Sequence, residues 1–286
     1  MSEPAAPALR LALAEAVGTF LLVFFGCGAV HCAVLLGELQ GLWQVGVVWG
    51  IAIMLAIYTI GDVSGAHINP AITLGMAAWN LFPKRLVPTY IAGQMAGAFL
   101  AAASLYVLFQ PYLDAKERDK SVGRGEPGSV VTAMCYGEYF PNPGPMAGGT
   151  GPFDSDEFAE FQTLVSQPVA FFAELLGTAI LGFVVVAVTD PGNRTQPDKL
   201  SPTFIGLTVT ALICVIAPLT QACFNPARDF GPRLFAYFAG WGDVAIPGPN
   251  GYGILTVYLL APIAGATLGI GVYQLLFRTA TTDSQD

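Results

Sequence analysis

Ser64-Gly65-Ala66-His67-Ile68-Asn69-Pro70-Ala71 and Gln221-Ala222-Cys223-Phe224-Asn225-Pro226-Ala227 are the two stretches that decide how this chain folds. Each ends in Asn-Pro-Ala, which opens a short apolar segment, from Asn69 to about Phe82 and from Asn225 to about Gly240. Asn caps the free backbone N–H groups of a helix start, and Pro suits the first helical position because it has no donor to lose there. About 14 helical residues at 1.5 Å each reach only ~21 Å, short of a hydrocarbon core of roughly 30 Å. In a membrane such segments must re-enter. The residues before them are then irregular backbone at membrane depth, which is tolerated only where it is buried or lines a watery cavity.

The rest of the chain supplies the membrane setting. Of 286 residues, 54% are hydrophobic and only 11% charged, whereas a soluble domain carries about 25% charged residues. Six apolar runs are long enough to span: Leu11–Leu36, Leu42–Gly61, Leu86–Phe109, Pro168–Thr189, Leu200–Leu219 and Gly251–Phe277. Two of them hold one acid each, Glu15 and Glu174, and the others hold none. The first run is too long for a signal peptide and has no small-residue cleavage site. Cys27, Cys32, Cys135, Cys214 and Cys223 are scattered without metal-ligand spacing, so neither a zinc site nor a disulfide framework is expected. The net charge of −8 gathers in the loop between the third and fourth spans and carries no nucleic-acid signal.

The chain is written twice. Ala14-Glu15-Ala16-Val17-Gly18-Thr19 is answered by Ala173-Glu174-Leu175-Leu176-Gly177-Thr178, and the two Asn-Pro-Ala stretches answer each other. Tyr90-x3-Gln94-x2-Gly97 is answered by Tyr258-x3-Pro262-x2-Gly265. Each half has three spans, an odd number, so the second copy sits upside down. An inverted repeat of this kind places a permeation site near the midplane between the halves. The expected architecture is an all-α membrane protein forming one channel domain over 1–286, with repeats at about 11–109 and 168–277. A long loop of about 110–167 forms an ordered cover. The two helix starts would aim their positive ends at one point, with carbonyls leading in, an arrangement that passes neutral hydroxylic solutes and repels cations. Arg10, Lys84, Arg85, Arg194, Lys199 and Arg278 share the side of the termini, while the short loop at Gly37–Gly41 has no Lys or Arg. Both termini are therefore expected in the cytoplasm.

On these residues the sequence resembles the major intrinsic proteins, the aquaporins and glycerol facilitators, from about Leu11 to Phe277. Asn225-Pro226-Ala227-Arg228-Asp229-Phe230-Gly231-Pro232-Arg233 stands as the family's second signature. Asp229 and Arg233, with Tyr139-Phe140-Pro141-Asn142-Pro143 in the long loop and Ala239-Gly240-Trp241-Gly242, are similar to the glycerol-conducting branch. The resemblance implies a passive channel for glycerol, related polyols, urea and some water, in a plasma membrane (the inner membrane if bacterial), as a homotetramer without cofactor. It implies a selectivity constriction at Trp49, Ile213, Ala222 and Arg228, a central motif at Asn69, Pro70, Ala71, Asn225, Pro226 and Ala227, and pore-lining backbone at Gly65, Ala66, His67, Gln221 and Cys223. Glu15, Glu174 and Asp229 would support the loops.

The constriction set departs from the usual glycerol facilitator, which has Gly at position 213 and an aromatic at 222. It resembles the plant nodulin-like channels more closely, and that likeness widens the solute range to lactic acid, ammonia and metalloid hydroxides. Cys223 could face the pore or the scaffold. His31 reads as an ordinary helix-end histidine. An ion-coupled secondary transporter also uses inverted repeats and broken helices and is the rival of a different class. No nucleophile, base or metal constellation points to an enzyme.

Overall fold

The computed structural model describes residues 7–149 and 151–278. Among them six helices are long and apolar enough to cross a membrane. We label the principal helices α1 (Ala8–Leu36), α2 (Leu42–Ser64), α3 (Pro70–Ala78), α4 (Val87–Asp119), α5 (Gln167–Thr189), α6 (Ser201–Thr220), α7 (Pro226–Ala236) and α8 (Gly253–Leu276). The short pair, α3 and α7, begins at the two Asn-Pro-Ala motifs.

Large apolar side chains cover the outside of the bundle. Val107 is 76% exposed and Val215 73%, with Leu100, Phe172, Leu207 and Leu268 also outward. Water would not tolerate so continuous an apolar surface. The interior holds the polar groups instead, among them Glu15, Gln94, Glu174, Asp229 and Arg233, all fully buried. With lipid as solvent this polarity is required: the chain is an integral membrane protein.

Close packing follows the duplication. In the first half α1 packs on α4, and in the second α5 packs on α8. Gly93 and Gly97 lie against the carbonyls of Ala12 and Ala16, and Gly265 and Gly269 against those of Leu175 and Ala179; a methyl at any of the four would overlap the facing backbone. Small residues allow this approach, which gives membrane helices the van der Waals contact that hydrophobicity cannot supply in lipid. The halves interlock as well. α3 packs on α8 and α7 on α4, so each short helix leans on the other half's third span. The middle spans α2 and α6 cross at Gly46, Gly50 and Gly206, where Thr210 Oγ1 donates to Gly46 O at 2.9 Å.

Several boundaries differ from the sequence reading. The third span does not end at Phe109. Helix α4 runs through Pro111 to Asp119, because the polar stretch after Phe109 is itself helix-forming and is held at its end. Leu113 is buried, Glu117 pairs with Arg124 at 3.0 Å, and Lys116 and Lys120 donate to Ala147 O and Gly148 O. The short helices are shorter than read: α3 stops at Ala78, and α7 at Ala236, where a wide π turn over Tyr237–Trp241 takes over. His31 is not an ordinary helix-end residue. It is fully buried, its Nδ1 lies 2.8 Å from Cys27 O, and its ring packs on Tyr136 and Phe109.

Beyond α4 the connection folds over one end of the bundle. Val130, Val131, Met134, Cys135, Tyr136 and Tyr139 build a second core with Trp241, Val244 and Ala245. Trp241 Nε1 donates to Thr132 Oγ1 at 3.0 Å, and Thr132 donates to Glu117 at 2.8 Å. The connection is thereby fixed to α4 and to the turn after α7.

Candidate functional site

The two irregular stretches fold alike because their residues face the same steric problem. Helix α2 ends with Gly65 in the left-handed region (φ 79°), and α6 ends with Gln221 (φ 62°). Ala66 and Ile68 repeat that conformation at φ 51° and 45°, and Ala222 and Phe224 at φ 61° and 51°. Left-handed backbone costs a non-glycine residue about 1–2 kcal/mol, so something must hold it. The buried glutamates do. Glu15 accepts from His67 N at 3.0 Å, Ile68 N at 2.7 Å, Ser64 Oγ at 2.7 Å and Gln94 Nε2 at 2.8 Å. Glu174 accepts from Cys223 N at 2.9 Å, Phe224 N at 2.8 Å and Thr220 Oγ1 at 2.6 Å. With N–H groups drawn back to the scaffold, the opposite edge of each stretch is left to the lumen.

At the tips the halves exchange hydrogen bonds. Asn69 Nδ2 donates to Phe224 O at 2.9 Å, and Asn225 Nδ2 donates to Ile68 O at 2.8 Å. Each Oδ1 caps its own helix, Asn69 accepting from Ala71 N at 2.8 Å and Asn225 from Ala227 N at 3.1 Å. Every atom of each amide but one N–H is thereby committed. Pro70 and Pro226 stand at the first helical turn and Ala71 and Ala227 beside them, all buried.

Two cavities run into this region. One of about 320 Å³ is lined by Gly65, Ala66, His67, Asn69, Ala222, Cys223, Asn225 and apolar side chains that include Leu181, Val185 and Ile205. Another of about 560 Å³ lies under the long connection, against Gln40, Asn142, Gly148 and Gln221. Trp49, Ile213 and Arg228 line both, and Ala222 lines the first. The two spaces therefore share a wall of one indole, one aliphatic side chain and one guanidinium. The indole lies over Gly26, where a Cβ would strike it, and the Arg228 guanidinium carbon sits 4.5 Å from the Trp49 ring centroid. A cation on a tryptophan face is favourable and fixes both groups. Cys223 lines the first cavity and donates from Sγ to Asn225 O at 3.3 Å. The His67 ring packs at a tilt against Phe82 and Tyr90, its Nδ1 3.1 Å from Thr73 Oγ1.

One charged neighbour of Arg228 escaped the sequence reading. Glu138, in the connection, is fully buried and ion-paired through Oε1 with Arg228 Nη2. Arg228 Nη1 donates to Tyr136 O at 3.2 Å. Burial pushes the Glu138 carboxyl up to about 8, with the Arg228 charge pulling the other way. A sequence signal was present: Glu138 is the lone acid in the apolar run from Val130 to Phe140. Gln221 has a second task too. It accepts from Tyr139 N at 2.9 Å and donates to Met134 O at 3.2 Å, which explains a side chain where the first half has Gly65.

The family described as Major intrinsic protein matches residues 4–273. The chain belongs to the major intrinsic protein family. The glycerol uptake facilitator of Pseudomonas aeruginosa is 38% identical over 264 residues, covering 92% of this chain and 87% of the facilitator. The Escherichia coli glycerol uptake facilitator is also 38% identical, with 92% and 86% covered. A propanediol uptake facilitator of Citrobacter freundii is 36% identical, with 92% and 90% covered. The fold matches that of the aquaglyceroporin from Plasmodium falciparum with a TM-score of 0.75 at 24% identity, covering 94% of this chain and 97% of that one.

Proposed function

We propose that the chain is a passive channel for glycerol and related small polyols, with some passage of urea and water and exclusion of ions and protons. The observation that carries this reading is the wall that two cavities share at Trp49, Ile213 and Arg228. A polyol has an apolar carbon edge and a hydroxyl edge. Trp49 and Ile213 offer the carbon edge a largely apolar wall, and Arg228 offers guanidinium donors to the hydroxyls. Beyond these three residues, the carbonyl file and the free amide hydrogens of Asn69 and Asn225 replace the lost water. Opposed helix starts raise the potential there, which works against cations. The relatives are named as facilitators of glycerol and propanediol uptake, in keeping with that chemistry.

Coupling to an ion gradient has less support. Buried acids in a transporter mark ion relays, but Glu15 and Glu174 are occupied by four and three donors in holding the loops. We further place the channel in the cytoplasmic membrane as a homotetramer, with both termini in the cytoplasm and the Lys120–Ser166 connection outside. The basic residues beside the termini support that orientation.

Stopped-flow light scattering on proteoliposomes tests the function. Glycerol flux that rises linearly with concentration and ignores proton and sodium gradients is expected. Accumulation of glycerol against its gradient, or a flux no larger than that of empty vesicles, would overturn it.

A further inference from the structure

Behind Arg228 lies a charged cluster that touches neither cavity. Asp229 and Arg233, one turn apart on α7, are fully buried and paired at 2.8 Å. Arg233 Nε lies 3.1 Å from both Asp229 oxygens. The rest of the pair's capacity goes to the long connection. Asp229 Oδ1 accepts from Glu138 N at 2.7 Å, Arg233 Nη2 donates to Glu138 O, and Arg233 Nη1 donates to Ala245 O at 2.7 Å. The guanidinium carbon stands 4.9 Å from the Tyr139 ring centroid, and a Cβ at Gly137 would meet it at 2.8 Å.

Both backbone polar groups of Glu138 are thus gripped by one ion pair, while its carboxylate rests on Arg228. With Glu138 ionised, the charges of Arg228, Asp229, Arg233 and Glu138 balance to zero within one dry volume, where an uncompensated charge would be costly. We propose that Asp229 and Arg233 are positioning residues for solute selection: by clamping the Glu138 backbone they hold its carboxylate on Arg228, and so set how much of the guanidinium is left for a solute. Only the fork of an arginine supplies the grip. A lysine keeps the charge but cannot bond Asp229, Glu138 O and Ala245 O together in one plane. This inference rests on the glycerol-channel reading above, which the wild-type flux tests separately.

The experiment is a double-variant cycle in proteoliposomes with R233K, E138Q and R233K/E138Q, reading the ratio of glycerol to water permeability alongside assembly by gel filtration. If the clamp acts through Glu138, R233K and E138Q each shift that ratio by about threefold or more, and R233K adds nothing once E138Q is present. An unchanged ratio in well-assembled R233K, or independent effects that multiply in the double variant, overturns the proposal. Should R233K fail to assemble, G137A carries the same test, because its methyl would press on the pinned Arg233 guanidinium without altering charge. A ratio shift in G137A that disappears in the E138Q background supports the clamp, and a wild-type ratio refutes it.

Discussion

The first-half loop, Ser64–Ala71, and the second-half loop, Thr220–Ala227, share a backbone, an alanine at 66 and 222 and a closing Asn-Pro-Ala, and differ in what surrounds them. Both are left-handed at matching positions, both hang from a buried glutamate, and both present an asparagine to the other half. Three residues after Asn69 comes Ile72, whereas three after Asn225 comes Arg228. Thr73 and Ala77 likewise stand where the second half has Asp229 and Arg233. The first loop is closed by neutral contacts, among them Gln94 on Thr73 at 3.1 Å and the cluster of His67, Phe82 and Tyr90 rings. The second is closed by charges and by the long connection. On the reading proposed above, what is repeated sets the geometry of the path, and what is not repeated sets which molecules take it.

Breaking the shared part should have the largest effect. E15A removes the acceptor of four hydrogen bonds and E174A that of three, an unmet buried donor costing about 1–3 kcal/mol. Both variants should lose flux, and E15A should lower the melting temperature in detergent further than E174A. Equal melting temperatures, or flux retained in either variant, would contradict the account of how the loops are held.

Breaking the unshared part should change selection and spare the fold. R228A should raise cation leak by about tenfold, the scale of a 1.4 kcal/mol barrier, whereas I72A at the equivalent position should leave the leak unchanged. Electrical recording on planar bilayers would distinguish them, and matching leaks would remove the asymmetry. Exchanging Ile213 for His and Ala222 for Cys should move permeation several-fold toward water. A wild-type glycerol-to-water ratio in that variant would mean that the constriction lies elsewhere.

The smallest effect concerns pH. Burial raises the Glu138 carboxyl to about 8 against the pull of Arg228, so the fold favours its neutral form below that pH and the ion pair with Arg228 is complete above it. The associated stability is complete below the ordinary carboxylate range and is lost as pH rises toward about 8. Over that rise the melting temperature should decline slightly, and E138Q should flatten the decline. A steeper slope in E138Q would contradict the assignment.

Most of this fold was legible in the sequence because membrane burial writes long apolar runs and the duplication supplies an internal check. Glu15 and Glu174 stood out as acids in hydrocarbon, and the paired Asn-Pro-Ala motifs marked where helices begin at depth. Helix ends were less legible. Beyond Phe109 the hydropathy falls although the helix continues to Asp119, since polar composition ends a membrane span without ending a helix. Glu138 was hidden for another reason. Its partner Arg228 is 90 positions away in sequence, and no local spacing encodes a contact made by folding a long connection over the bundle. His31 was misread in the same way, because the aromatic Tyr136 that buries it comes from that connection.

The central claim is that solute passes in single file alongside the two asparagine tips, each of which keeps one amide hydrogen free. The most direct measurement is an experimental density map of the protein in lipid with glycerol present. The account predicts glycerol density at the midplane within hydrogen-bonding reach of Asn69 Nδ2 and Asn225 Nδ2, continuous with density beside Arg228. Glycerol confined to the wider cavity under the connection, with the two asparagines apart or facing lipid, would contradict it.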